Sequence, residues 1–77
     1  MQTQTIYSAL VNRRKTHPAT GRVEKHHIVP KSLGGSDHKS NLVSLTPREH
    51  YVAHRLLAKM HGGPMWAALA FMSRGAV

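Results

Sequence analysis

Seventy-seven residues make one domain with a thin core and no more. Eleven Lys and Arg stand against three Asp and Glu, a net charge of +8; an anionic partner is expected, nucleic acid ahead of a membrane surface. Cysteine is absent, which excludes disulfides and thiolate zinc sites, fits a reducing cytoplasm and leaves histidine-held metal as the available staple.

The N-terminus, Met1-Gln2-Thr3-Gln4, has neither the charged leader nor the apolar stretch of a signal peptide. Thr3 to Lys15 predicts a short helix, with Ile6 and Leu10 on one face beside Tyr7 and Val11. Its closing cations, Arg13-Arg14-Lys15, suit the negative end of a helix dipole. Thr16 to Gly21 reads as a loop, Arg22 to Val29 as a first strand stopped by Pro30, and Lys31 to Ser40 as a long polar connection containing Gly34-Gly35. Asn41 to Leu45 alternates as a second strand should. Thr46-Pro47-Arg48-Glu49 is a capping box with proline at the first helical position, so a helix is predicted from Pro47 to about Met60, closing at His61-Gly62-Gly63. Pro64 opens a last predicted helix, Met65 to Ser73, whose Trp66, Leu69, Ala70 and Phe71 read as core rather than a base-stacking surface. No run of about 20 apolar residues exists to span a bilayer.

Seven histidines occur, and four form two tight sets, His26-His27 and His50 with His54. The i, i+4 spacing of His50 and His54 puts two imidazoles on one helix face, about 6 Å apart. Such a pair alone is often only polar surface. A metal site needs a third ligand, and His26, His27, His17, His38, Asp37 and Glu24 are the candidates, with His26 or His27 best placed by the strand that precedes the helix. A metalloprotease motif is rejected, because it requires Glu directly after the first histidine and Tyr51 stands there. His17, His38 and His61 read as solvated side chains.

Glu24-Lys25-His26-His27-Ile28-Val29-Pro30, then Gly34-Gly35, Asn41-Leu42, Thr46-Pro47-Arg48-Glu49-His50 and His54, resembles the HNH endonuclease family, both its phage enzymes and its nuclease colicins. The likeness covers about residues 21–60 of what reads as a single domain, 1–77. It implies an α+β fold: a ββα-metal (His-Me finger) core, here with an N-terminal helix and an extra C-terminal helix. It also implies that His27 is the general base, that His26, His50 and His54 hold one divalent ion, and that Asn41 braces the long loop and so orients the base. Glu24 falls where some relatives carry a glutamate near the site. Zinc, nickel, magnesium and manganese all remain open as the metal.

The physical logic agrees. Phosphodiester hydrolysis needs a deprotonated water on one side of phosphorus and charge relief on the other, and an imidazole left off the metal accepts a proton near neutral pH. One geometric condition attaches: adjacent residues of a regular strand point to opposite faces, so the strand is expected to bulge or end at His26-His27, and a straight strand through His27 counts against this assignment of roles. Arg22, Lys31, Arg48 and Arg55 are the expected phosphate contacts within a basic set that also includes Arg13, Arg14, Lys15, Lys25 and Lys39. The resulting expectation is a cytoplasmic endonuclease of phage or bacterial origin that cuts double-stranded DNA with low sequence selectivity, alone, as a dimer or within a phage assembly. The alternative is a metal-stapled nucleic-acid-binding module without catalysis.

Overall fold

The computed structural model describes residues 2–62. Its elements run α1 (Thr3–Thr16), β1 (Glu24–His27), two single-turn 3-10 segments (Lys31–Leu33 and Lys39–Asn41), β2 (Leu42–Leu45) and α2 (Pro47–His61). The α+β class and the strand–loop–strand–helix core agree with expectation. The predicted helix at Met65 to Ser73 lies outside the described residues.

The start of α2 is set by its sequence. Thr46 Oγ1 accepts the Glu49 N–H at 3.1 Å while Glu49 Oε1 accepts the Thr46 N–H at 3.0 Å, completing the capping box. Such a cap contributes about 1 kcal/mol. At the other end Gly62 takes a positive φ of 66° and its N–H reaches back to Ala58 O.

β1 and β2 form an antiparallel pair in unbroken register, Glu24 opposite Leu45, His26 opposite Val43 and His27 opposite Leu42. Alternation turns His26, Val43 and Leu45 inward, and all three are buried. Both helices pack against this hairpin, closing a small core of Tyr7, Val11, Val43, Leu45, Ala53, Leu57 and Ala58. The first strand is shorter than the predicted Arg22 to Val29. It ends because Val29 leaves the ladder: its N–H goes to the Asn41 side chain rather than to the β2 backbone. The face of α1 also differs. Tyr7 and Val11 are buried and Leu10 is packed at the core's edge, whereas Ile6 is 41% exposed.

Arg14 and Glu49 lock α1 to α2. Arg14 Nε donates to both Glu49 oxygens, at 3.0 and 2.9 Å, and Arg13 adds a contact at 3.2 Å. The Arg14 guanidinium holds the Glu49 carboxyl down at about 2. Lys15 Nζ is bonded to Ser40 O at 2.9 Å. The basic end of α1 is thus engaged in tethering the helix, which removes Arg14 in particular from the set free to meet phosphate.

The loop between the strands is held by one side chain. Asn41 Oδ1 accepts the Val29 N–H at 2.8 Å, and Asn41 Nδ2 donates to Val29 O at 3.0 Å and Ser36 O at 2.8 Å. Gly35 lies against this brace so closely that a Cβ would collide with Val29 O. Asn41→Ala strips all three bonds and leaves Val29 and Ser36 groups without their partner. It is expected to lower unfolding free energy by about 1–3 kcal/mol, read from urea denaturation; an unchanged midpoint would show that the loop is held by other means.

Candidate active site

The two helical histidines reach the inner face of β1. One turn apart on α2, His50 and His54 have ring centroids separated by 4.9 Å, and each lies 5.2 Å from the ring of His26. One nitrogen from each of the three comes within 4.8 Å of the others. His26 is 1% exposed and is the one buried polar residue among the described residues.

Each ring is oriented by a neighbour or left bare. His50 Nδ1 is 2.8 Å from Glu24 Oε1; a carboxylate only accepts, so Nδ1 carries the proton and Nε2 keeps its lone pair in the neutral ring. His26 Nε2 is 2.7 Å from Tyr7 Oη, which is itself 2.7 Å from Ile28 O. The Nδ1 atoms of His26 and His54 are buried with no hydrogen-bond partner among the described residues. A buried polar atom left unpaired costs about 1–3 kcal/mol. Three converging imidazoles with two bare buried nitrogens fit a divalent metal ion in donor type and in spacing.

Burial holds the His26 imidazole down at about 3, with His54, His50 and His27 adding to the effect. His54 is lowered as well, by burial first and then by His50. An unfolded histidine takes up its proton near 6.5. Between that value and about 3 the unfolded chain therefore binds more protons, so stability present above pH 6.5 drains away as the pH falls. The melting temperature of chelator-treated protein is expected to fall steadily from pH 7.5 to 5, before carboxylates titrate. A flat profile over that range would show that these rings are not buried neutral.

His27 differs from its neighbour in every respect. It is the last residue of β1, with no bulge before it, so its side chain leaves the strand on the opposite side from His26. The expected bulge or strand end at the adjacent pair is not observed: His27 is still paired with Leu42 and the Ile28 N–H still reaches Asn41 O, so the ladder stops only at Val29. The ring nevertheless lines an open depression together with His50, His54, Lys25, Lys31 and Ser32. Its Nε2 lies 2.8 Å from Asp37 Oδ1, whose other oxygen is 3.1 Å from Lys31 Nζ. Those two partners, His27 first, hold the Asp37 carboxyl below its usual range.

The remaining expected site residues are more scattered. Asn41 braces the loop and does not line the depression. Lys31 lines it directly, whereas Arg22 is exposed and 3.8 Å from Glu24. Arg48 and Arg55 are exposed on α2 outside the depression. Lys25 was grouped only with the general basic set, yet it faces this depression. In the sequence Tyr7 stands only beside the apolar face of a helix, and Asp37 is one of several ligand candidates. Their contacts join positions 19 and 10 residues apart, with no local spacing to announce them.

Comparison with known proteins matches this arrangement. The profile of the HNH endonuclease family covers residues 13–55, more than half of the chain. The chain belongs to the HNH endonuclease family. It is 50% identical to the probable mobile endonuclease C of Enterobacteria phage T4, over 95% of this chain and 37% of that protein. It is 47% identical to the probable mobile endonuclease E of the same phage, over 79% of this chain and 44% of that protein. An uncharacterized 38.5 kDa protein in psbA intron 1 of Chlamydomonas moewusii is 49% identical over 69% of this chain and 16% of its own length. The chain thus spans less than half of each of these relatives. No solved structure matches it. Among the described residues no helix is long and apolar enough to cross a membrane.

Proposed function

We propose that the chain is a single nuclease domain that hydrolyses phosphodiester bonds of DNA, with one divalent ion held by His26, His50 and His54 and with His27 as the general base. The observation that carries this reading is the contrast within one pair. The buried His26 converges with the half-buried helical histidines in one triad, while His27 stands beside them on a carboxylate, lining the same open basic depression as His50 and His54.

A divalent ion bound by the triad supplies Lewis-acid relief of the charge that develops on the phosphate and on the leaving oxygen. Three nitrogen donors suit zinc or nickel, whereas magnesium favours oxygen. The chain's own groups account for the rest. Asp37 accepts the Nε2 proton of His27 and leaves Nδ1 as the acceptor in the neutral ring. Nδ1 takes a proton from water, the water oxygen attacks phosphorus, and the bond from phosphorus to the 3′-oxygen breaks, that oxygen gaining a proton from solvent. Asn41 keeps the loop bearing Asp37 in place, so its contribution is positional.

Lys25 and Lys31, which line the depression, support phosphate binding there, and Arg22, Arg48 and Arg55 extend the basic surface. Backbone contacts of this kind carry little sequence information, so double-stranded DNA is expected to be cut with low selectivity. The phage relatives, named as mobile endonucleases, support DNA of a phage or its bacterial host as the substrate.

Supercoiled plasmid incubated with the chain and Mg²⁺, Mn²⁺, Zn²⁺ or Ni²⁺ tests the proposal. Relaxed or linear product is expected with at least one metal and none in chelator. Retarded but uncut plasmid with every metal would favour the binding module without catalysis.

A further inference from the structure

Tyr7 lies ahead of the segment that matches the family profile, on a helix outside the ββα core, yet its hydroxyl touches the site. It is 4% exposed, and His26 is 1% exposed, so water does not compete for the contact. Resting on the metal reading above, we propose that Tyr7 is a positioning residue: its contacts with His26 Nε2 and Ile28 O fix the His26 tautomer and keep the Nδ1 lone pair turned to the metal.

Counting protons fixes the direction of both contacts. A tyrosine hydroxyl has one proton, and a backbone carbonyl can only accept. At 2.7 Å from Ile28 O, that proton is donated to the carbonyl. The second contact of Tyr7 Oη, 2.7 Å to His26 Nε2, must then run the other way, from Nε2–H to oxygen. A neutral imidazole carries one proton, so Nδ1 has none. That nitrogen is the buried, unpartnered atom on the ring that packs against His50 and His54.

The opposite tautomer has three faults. It sets a buried Nδ1–H where no acceptor exists among the described residues, and it presents no lone pair to an ion. It also requires Tyr7 to give up Ile28 O in order to donate to Nε2. The relay is parallel to that of His50, where Glu24 fixes the other nitrogen as acceptor. Two of the three rings are thereby set before any ion arrives, one by a carboxylate and one by a phenol. Outer contacts of this type typically change metal affinity 10–100-fold.

The metal-free 77-residue chain, labelled with ¹⁵N at histidine, tests the assignment directly by long-range proton–nitrogen correlation at neutral pH. His26 is expected to show the Nε2–H tautomer, and in Tyr7→Phe that signature is expected to be lost or mixed. In competition with a chromogenic chelator, Tyr7→Phe is expected to bind Zn²⁺ about 10-fold or more weakly than wild type, with an unchanged circular dichroism spectrum. An Nδ1–H signature in the wild type, or Tyr7→Phe affinity within twofold of wild type, would overturn the proposal. Wild-type protein that binds no metal would overturn the metal reading instead, and the wild-type tautomer would still decide the assignment of Tyr7 without any variant.

Discussion

His27→Ala is expected to cleave DNA about 10²- to 10⁴-fold more slowly than wild type, while binding metal with the same affinity. The combination separates the two roles an imidazole could have here. His27 lies outside the histidine triad and its Nε2 meets Asp37, so under the proposed roles its removal takes away a proton acceptor and no ligand. The ring is half-buried at the end of a strand and contributes nothing to the core, so the variant is expected to melt close to wild type. Loss of metal binding together with cleavage would identify His27 as a ligand. Cleavage at the wild-type rate would remove it from the reaction.

The second large effect concerns the ion. His54→Ala is expected to weaken zinc binding by more than about 100-fold, since even changes one shell further out cost 10–100-fold. Stability follows by linkage. Zinc at 100 times Kd stabilises the folded chain by about 2.7 kcal/mol, and in a domain this small each kcal/mol moves Tm by roughly 4–8 °C. Adding chelator to zinc-loaded wild type is therefore expected to lower Tm by on the order of 10 °C or more. In His54→Ala the chelator is expected to do almost nothing. Metal-free, the substitution also deletes a buried nitrogen that has no partner among the described residues, so its own cost to folding is offset in part. Equal chelator effects in both proteins would place the stabilising ion elsewhere.

What the sequence disclosed follows from which interactions are local. The capping box reads directly from Thr46 to Glu49, so α2 begins where expected and the i, i+4 spacing of His50 and His54 becomes real adjacency. The strand limits are less legible because β1 is cut short by a side chain: Asn41 captures the Val29 N–H from twelve residues away. The orientation of α1 is set by a polar bond. Apolar periodicity groups Ile6 with Leu10, but the helix is turned so that Tyr7 meets His26, and Ile6 is left at the surface.

The same distinction explains the site. His26, His27, Asn41, His50 and His54 stand out because they fall in a motif of fixed spacing. Their supporting groups do not. Glu24 meets His50 across 26 residues, and Tyr7 meets His26 across 19. Arg14 looks like one more surface cation in a chain of charge +8, yet it is spent on Glu49, 35 residues ahead. Charge counts do not reveal which cations have partners; only the fold does.

The proposed reaction divides its labour between two adjacent histidines, His26 and His27. Anomalous diffraction from crystals of the chain grown with Zn²⁺ or Ni²⁺ tests it most directly. One ion is expected, bound by nitrogens of His26, His50 and His54, with His27 off the metal and still on Asp37. An ion bound by His27, or one that leaves His26 turned away, would contradict it.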